Sequence, residues 1–83
     1  MTEFYDYLMR ECHYVTESAE ARERAITRLV EFGYTEDQLK NGNITAMVEA
    51  YFKSKGTKIS RPMMAIYRNA LRVYRNFREA SSW

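Results

Sequence analysis

Three glycines (Gly33, Gly42 and Gly56) and one proline (Pro62) are the only strong conformational breakers in 83 residues. The apolar residues between them recur at helical spacing, and no stretch alternates cleanly between apolar and polar residues as a strand would. So few breakers at such spacing predict an all-α fold. We expect a compact bundle of four to five short helices, one domain over residues 1–83, with residues 80–83 as a tail.

Capping residues divide the chain further. Thr2 suits an N-cap, with Glu3 and Asp6 favourable to the helix dipole. Phe4, Leu8, Cys12 and Val15 carry a first helix to about Tyr14 or Val15. Thr16-Glu17-Ser18 reads as a break and a new cap. The second helix then runs to Phe32, burying Ile26, Leu29 and Val30, with Gly33 as its left-handed stop. Thr35 and Gln38 form a capping box for a short third helix that ends at Asn41-Gly42-Asn43. Asn43 or Thr45 caps a fourth helix, whose inner face is Ile44, Met47, Val48, Tyr51 and Phe52 and which Gly56 closes. Ser60-Arg61-Pro62 opens the last helix, with proline in the first turn where its missing N–H costs nothing; it reaches about Glu79.

Charge is divided as unevenly as structure is regular. Residues 1–51 hold ten acids against five bases, whereas residues 52–83 hold eight bases and one acid, Glu79. A formal net charge of +2 thus conceals an acidic part and a strongly basic one, and a basic face implies an anionic partner. On the last helix, Met63, Ile66, Ala70, Val73, Tyr74 and Phe77 share the predicted core face, with Tyr67 at its edge. Arg61, Arg68, Arg72 and Arg75 fall within roughly 60° of one another on the opposite side at ~100° per residue, with Arg78 just off the stripe. Met64 and Leu71 are read as exposed apolar residues beside it, and Asn69 and Asn76 as nearby hydrogen-bonding side chains.

Like charges stacked at i, i+4 repel, so the stripe calls for a counter-charge. Acids of the same chain are one source, above all Glu17, Glu20, Glu23 and Glu31. DNA phosphate is a second, since arginine binds it well. An acidic protein surface is a third, anchored by Met64 and Leu71. A homodimer could pair the basic helix of one copy with acidic helices of another, using Trp83 and surplus tyrosines. A membrane surface is disfavoured because the apolar face is needed for the core. There are seven tyrosines, too many for all to be fully buried with satisfied hydroxyls, so some should lie at the core boundary.

The segment from Ala46 to Phe52, then Gly56, then Ile59-Ser60-Arg61-Pro62-Met63-Met64, resembles a helix-turn-helix with a turn several residues longer than usual. That resemblance implies that Arg61, Met64, Arg68 and Asn69 face the major groove. Residues 44–77 also resemble the SAM-like core-binding domain of phage integrases and other tyrosine recombinases, through Gly56, Ser60, Tyr67, Ala70-Leu71-Arg72, Tyr74 and Phe77. It implies a helical bundle that clamps DNA. The family's catalytic residues belong to a separate domain that this chain is too short to include, so recombinase activity is not implied.

No chemistry of catalysis stands out. Cys12 and His13 are helical neighbours and point apart, and one Cys with one His makes no zinc set. The glycines are isolated helix stops rather than a phosphate-cradling loop. No catalytic residue, cofactor or metal is expected, and the chain reads as non-enzymatic. A lone cysteine, no membrane-length apolar run and a start without a basic n-region predict a soluble, cytoplasmic protein. The leading expectation is a small DNA-binding protein, of the kind that serves as a phage or mobile-element regulator. Its surface would be Arg61, Met64, Arg68, Asn69, Leu71, Arg72, Arg75 and Arg78. The alternative is a phage-encoded inhibitor or adaptor of the anti-defence type, binding a host protein through an Arg/Tyr/Met surface.

Overall fold

The first helix ends sooner than its apolar spacing suggests, and the reason sets the shape of the bundle. In the computed structural model, which describes residues 2–80, α1 (Glu3–Arg10) stops where the amides of Glu11 and Cys12 both turn back to the Tyr7 carbonyl. His13 then adopts a positive φ of 57°, and the Tyr14 N–H reaches the Leu8 carbonyl at 3.1 Å. The chain therefore reverses within residues 11–15 rather than at 16–18. Thr16 becomes the first residue of α2 (Thr16–Phe32), which Val15 precedes without a side-chain cap.

The remaining boundaries follow their local signals. Gly33, at φ 123°, closes α2, and the Tyr34 N–H bonds back to the Leu29 carbonyl; glycine alone takes that conformation cheaply. Both halves of the Thr35–Gln38 capping box form at the start of α3 (Glu36–Asn41). Asn43, not Thr45, caps α4 (Ile44–Ser54), its Oδ1 accepting from the Ala46 N–H. At Gly42 a Cβ would come within 2.6 Å of both the Gln38 carbonyl oxygen and the Met47 sulfur, so a side chain there would clash with the end of α3 and with Met47. Ser60 accepts from the Met63 N–H at the head of α5 (Arg61–Ala80). Ala80 of the expected tail is helical; Ser81, Ser82 and Trp83 lie outside the described residues.

Five helices and no strand occur among the described residues, the all-α bundle expected. The radius of gyration of 12.4 Å is close to the ~12 Å of a compact chain this long. No helix there is long and apolar enough to cross a membrane. α5 packs against every other helix, most extensively against α2. Small residues allow that approach, since Ala19 and Ala25 of α2 and Ala70 of α5 are all buried.

Contact on several sides corrects the expected inner face of α5. Tyr67, placed at the edge, is buried, and Leu71, read as an exposed anchor, is fully buried at 0% exposure. Met64 is half buried against the core, whereas Met63 is exposed and Ile66 only partly covered. On α2, Val30 is 51% exposed rather than buried. A fully buried leucine truncated to alanine costs about 2–5 kcal/mol, and an exposed aliphatic residue much less. Urea denaturation should therefore find Leu71→Ala destabilised by about 3 kcal/mol and Val30→Ala by under about 0.5 kcal/mol. Equal effects of the two would contradict this assignment of inside and outside.

Candidate functional site

The basic residues of α5 separate into two groups by what they touch. In its last turns, Arg75 donates from Nε to the Leu39 carbonyl and from Nη2 to the Gly42 carbonyl, each at 2.7 Å. These carbonyls end α3 and have no partner within that helix, so the guanidinium acts as its C-terminal cap. At the other end of α3, Glu36 accepts from the Tyr74 hydroxyl at 2.8 Å and pairs with Arg78 Nε at 2.7 Å. A six-residue helix is not stable alone, and α5 holds this one at both ends. The chain's own counter-charge to the stripe is thus Glu36 and two carbonyls of α3, not the acids of α2. Glu23 instead accepts a hydrogen bond from the Thr2 hydroxyl.

The second group is free. Arg61 and Arg72 are exposed on the outer face of α5, with the half-buried Arg68 between them. The Arg68 Nε–H is buried and has no acceptor among the described residues. Lys53 and Lys58 line an open cleft of about 450 Å³ at the α4–α5 corner, with Glu49, Phe52 and Ile59. Lys55 lies on the other side of the same helix end, its ammonium 5.1 Å from the Tyr51 ring centroid. These lysines belong to the basic C-terminal part of the sequence, yet attention to the arginine stripe passes over them. Their spacing across a loop has no periodicity to single them out.

Of the residues expected to form the binding surface, Arg61, Arg68 and Arg72 share the free face. Arg75 and Arg78 are engaged with α3, and Leu71 is inaccessible. Met64 offers only part of its side chain. Asn69 is occupied, its Oδ1 accepting from the Tyr14 hydroxyl at 3.0 Å and from Arg22 Nε at 2.6 Å, while the Arg22 guanidinium lies 4.5 Å from the Tyr14 ring centroid. This network ties the α1–α2 connection to α5. The tyrosines divide as expected: Tyr5, Tyr51 and Tyr67 are buried, and Tyr7, Tyr14, Tyr34 and Tyr74 sit at the core boundary.

Two aromatic clusters flank the centre of α5. Phe4, Tyr7, Tyr74 and Phe77 pack near its C-terminal end. Phe32, Tyr34, Tyr51, Phe52 and Tyr67 pack nearer its start. Cys12 is half buried and His13 exposed. No group of three or more His, Cys, Asp or Glu side chains that could hold a metal occurs among the described residues. Compared with protein-family models, curated proteins and solved structures, the chain matches none of them.

Two outcomes follow from the α3 bracket. Arg75→Ala strips a charged donor from two helix-end carbonyls and should cost about 2 kcal/mol in urea denaturation, while Arg72→Ala should stay within about 0.5 kcal/mol of the parent. Equal costs would contradict the cap. Burial, and then the hydrogen bond to the Glu36 carboxylate, push the Tyr74 hydroxyl up to about 12 from its ordinary 10.0. The folded chain then keeps a proton that the unfolded chain releases. The stability this brings is complete below about pH 10 and is lost as pH rises through about 12. Burial raises Tyr7 and Tyr34 in the same direction. Tyr74→Phe should make the alkaline decline in stability shallower, read by urea unfolding across that window; an unchanged slope would contradict the Tyr74 contribution.

Proposed function

We propose that the chain is a small DNA-binding protein that acts by binding rather than catalysis, holding phosphate at the α4–α5 corner and along the outer face of α5. One observation carries this. Between Glu49 and Glu79 the sequence has eight bases and no acid. Five of those bases (Lys53, Lys58, Arg61, Arg68 and Arg72) have no hydrogen-bonding or ionic partner among the described residues. A like-charged surface of this density opposes folding by self-repulsion, and a polyanion lying along it relieves that. Arg61, Arg68 and Arg72 lie in one row about 16 Å long at 1.5 Å per residue, a geometry that suits a run of phosphates.

An acidic protein partner is less well supported, because such interfaces rely on buried apolar or aromatic anchors. Leu71 lies in the core and Met64 is mostly covered, so the anchors expected beside the stripe are not available. Base reading by Asn69 is equally disfavoured while Tyr14 and Arg22 occupy its carbonyl oxygen. The row therefore acts through the backbone of the nucleic acid, which positions a protein without specifying sequence.

Titration of random-sequence duplex DNA at several salt concentrations tests this. With Lys55 added to the five free bases, six phosphate contacts give a log–log salt slope of about −5. Replacing Lys53, Lys58 and Arg72 together by alanine should reduce its magnitude by about three, while Arg78→Ala leaves it nearly unchanged. No binding of either duplex or single-stranded DNA at low salt, or the parent slope in the triple variant, would overturn the proposal.

A further inference from the structure

The end of α4 carries a second feature beside its free lysines. Phe32, the last residue of α2, is 42% exposed although it belongs to an aromatic cluster. Its ring meets Tyr51 edge-on at 5.4 Å and Tyr34 at a tilt at 5.2 Å. Tyr51 itself is buried and stacks on Tyr67 at 6.0 Å. Phe32 is therefore the partly exposed outer ring of a packed aromatic assembly, and its neighbours restrain its orientation. Beside it opens a cleft of about 350 Å³ formed by Arg28, Glu31, Phe32, Tyr51 and Lys55. Two cations and one carboxylate stand on its walls: Arg28, whose Nη1 donates to the Tyr67 hydroxyl at a long 3.5 Å, Lys55, whose ammonium lies over the Tyr51 ring, and Glu31.

Each of these groups matches a part of an unpaired nucleotide. An exposed, braced aromatic ring is a stacking platform for a base, which in a duplex would be hidden between its neighbours. Cations beside the ring suit the phosphates on either side of that base. The carboxylate only accepts hydrogen bonds, so it repels phosphate and suits the amino group of a base edge. The volume lies at the lower end of the range for small-ligand pockets, about 300–1,000 Å³, a fit for one flat ring system rather than a helix or a peptide strand. Lys53 and Lys55 lie on either side of the end of α4, one in each cleft. A strand whose base stacks on Phe32 can therefore continue onto the free bases of the α4–α5 corner.

We infer that the cleft beside Phe32 holds an unpaired base, so that the DNA this protein takes is single-stranded or carries unpaired nucleotides next to a duplex. This rests on the phosphate-binding proposal above and narrows it to a substrate class. Phe32 supplies the stacking face, Arg28 and Lys55 hold the flanking phosphates, and Glu31 meets the base edge.

The test compares a short single strand containing 2-aminopurine, whose fluorescence falls when it stacks, with a blunt duplex of the same length at one salt concentration. The single strand should bind severalfold more tightly and its fluorescence should fall on binding. Phe32→Ala and Phe32→Leu should each weaken single-strand binding about 5- to 100-fold and remove the quench, while changing duplex affinity less than about twofold. Phe32→Trp should retain both. Leucine keeps an apolar side chain at the position, and a urea curve for each variant separates lost stacking from lost fold. Equal affinity for the two DNAs, no quench, or equal loss on both in folded Phe32→Leu would overturn the stacking inference and leave phosphate binding standing. Binding of neither DNA would overturn both.

Discussion

The burial of one broad arc of α5 governs everything else in this fold. Tyr67, Ala70, Leu71, Val73 and Phe77 are all buried, and each of the other four helices packs on some part of that helix. In a chain this small the apolar area hidden only modestly exceeds the entropy lost, so no subset of helices has a core of its own to fall back on. Ala70 opposite a helix that buries Ala19 and Ala25 fits the same requirement. A larger residue at any of these buried points would overpack the core.

That central position decides what the arginines do. Residues at the margin of a helix packed on so many sides are never far from another element's unsatisfied groups. Near the C-terminal end of α5 those groups belong to α3, whose six residues cannot sustain a helix on their own. Arg75 and Arg78 are drawn into holding it, with Tyr74 as the third contact. Towards the start of α5, the charges of the outer face have no hydrogen-bonding or ionic partner among the described residues. One basic segment thus has two fates, separated by geometry along a single helix rather than by residue type.

The same distinction explains what could be read from sequence. Signals confined to a few neighbouring residues were legible: the Thr35–Gln38 capping box, the stop at Gly33, the Asn43 cap, and the Ser60-Arg61-Pro62 opening of α5. These depend on local backbone donors and acceptors that the capping residue reaches unaided. The end of α1 was not legible, because the amides of Glu11 and Cys12 turn back to the Tyr7 carbonyl and His13 takes a positive φ without a glycine to mark the turn. Leu71 was misplaced because a helical wheel assumes one partner surface, whereas α5 has several and its buried arc is correspondingly wide. The occupied state of Asn69, the cap formed by Arg75 and the cluster of lysines round the α4–α5 corner all arise from tertiary neighbours, for which periodicity carries no mark.

The two aromatic clusters show how far coverage, not composition, separates a structural group from an available one. Near the end of α5, Phe4 and Phe77 are each at most 8% exposed, and the Tyr74 hydroxyl donates to Glu36. Nearer the start of α5, Tyr51 and Tyr67 are as deeply buried, yet Phe32 is 42% exposed. Exposing one ring of a packed set forgoes part of the gain from burying it. The partly exposed ring shares its cleft with Arg28 and Lys55, and Lys53 and Lys58 line the cleft on the other side of the end of α4. Burial alone accounts for neither the open ring nor the unpaired charge. The single-stranded ligand proposed above has a flat apolar face and a negative backbone, one counterpart for each.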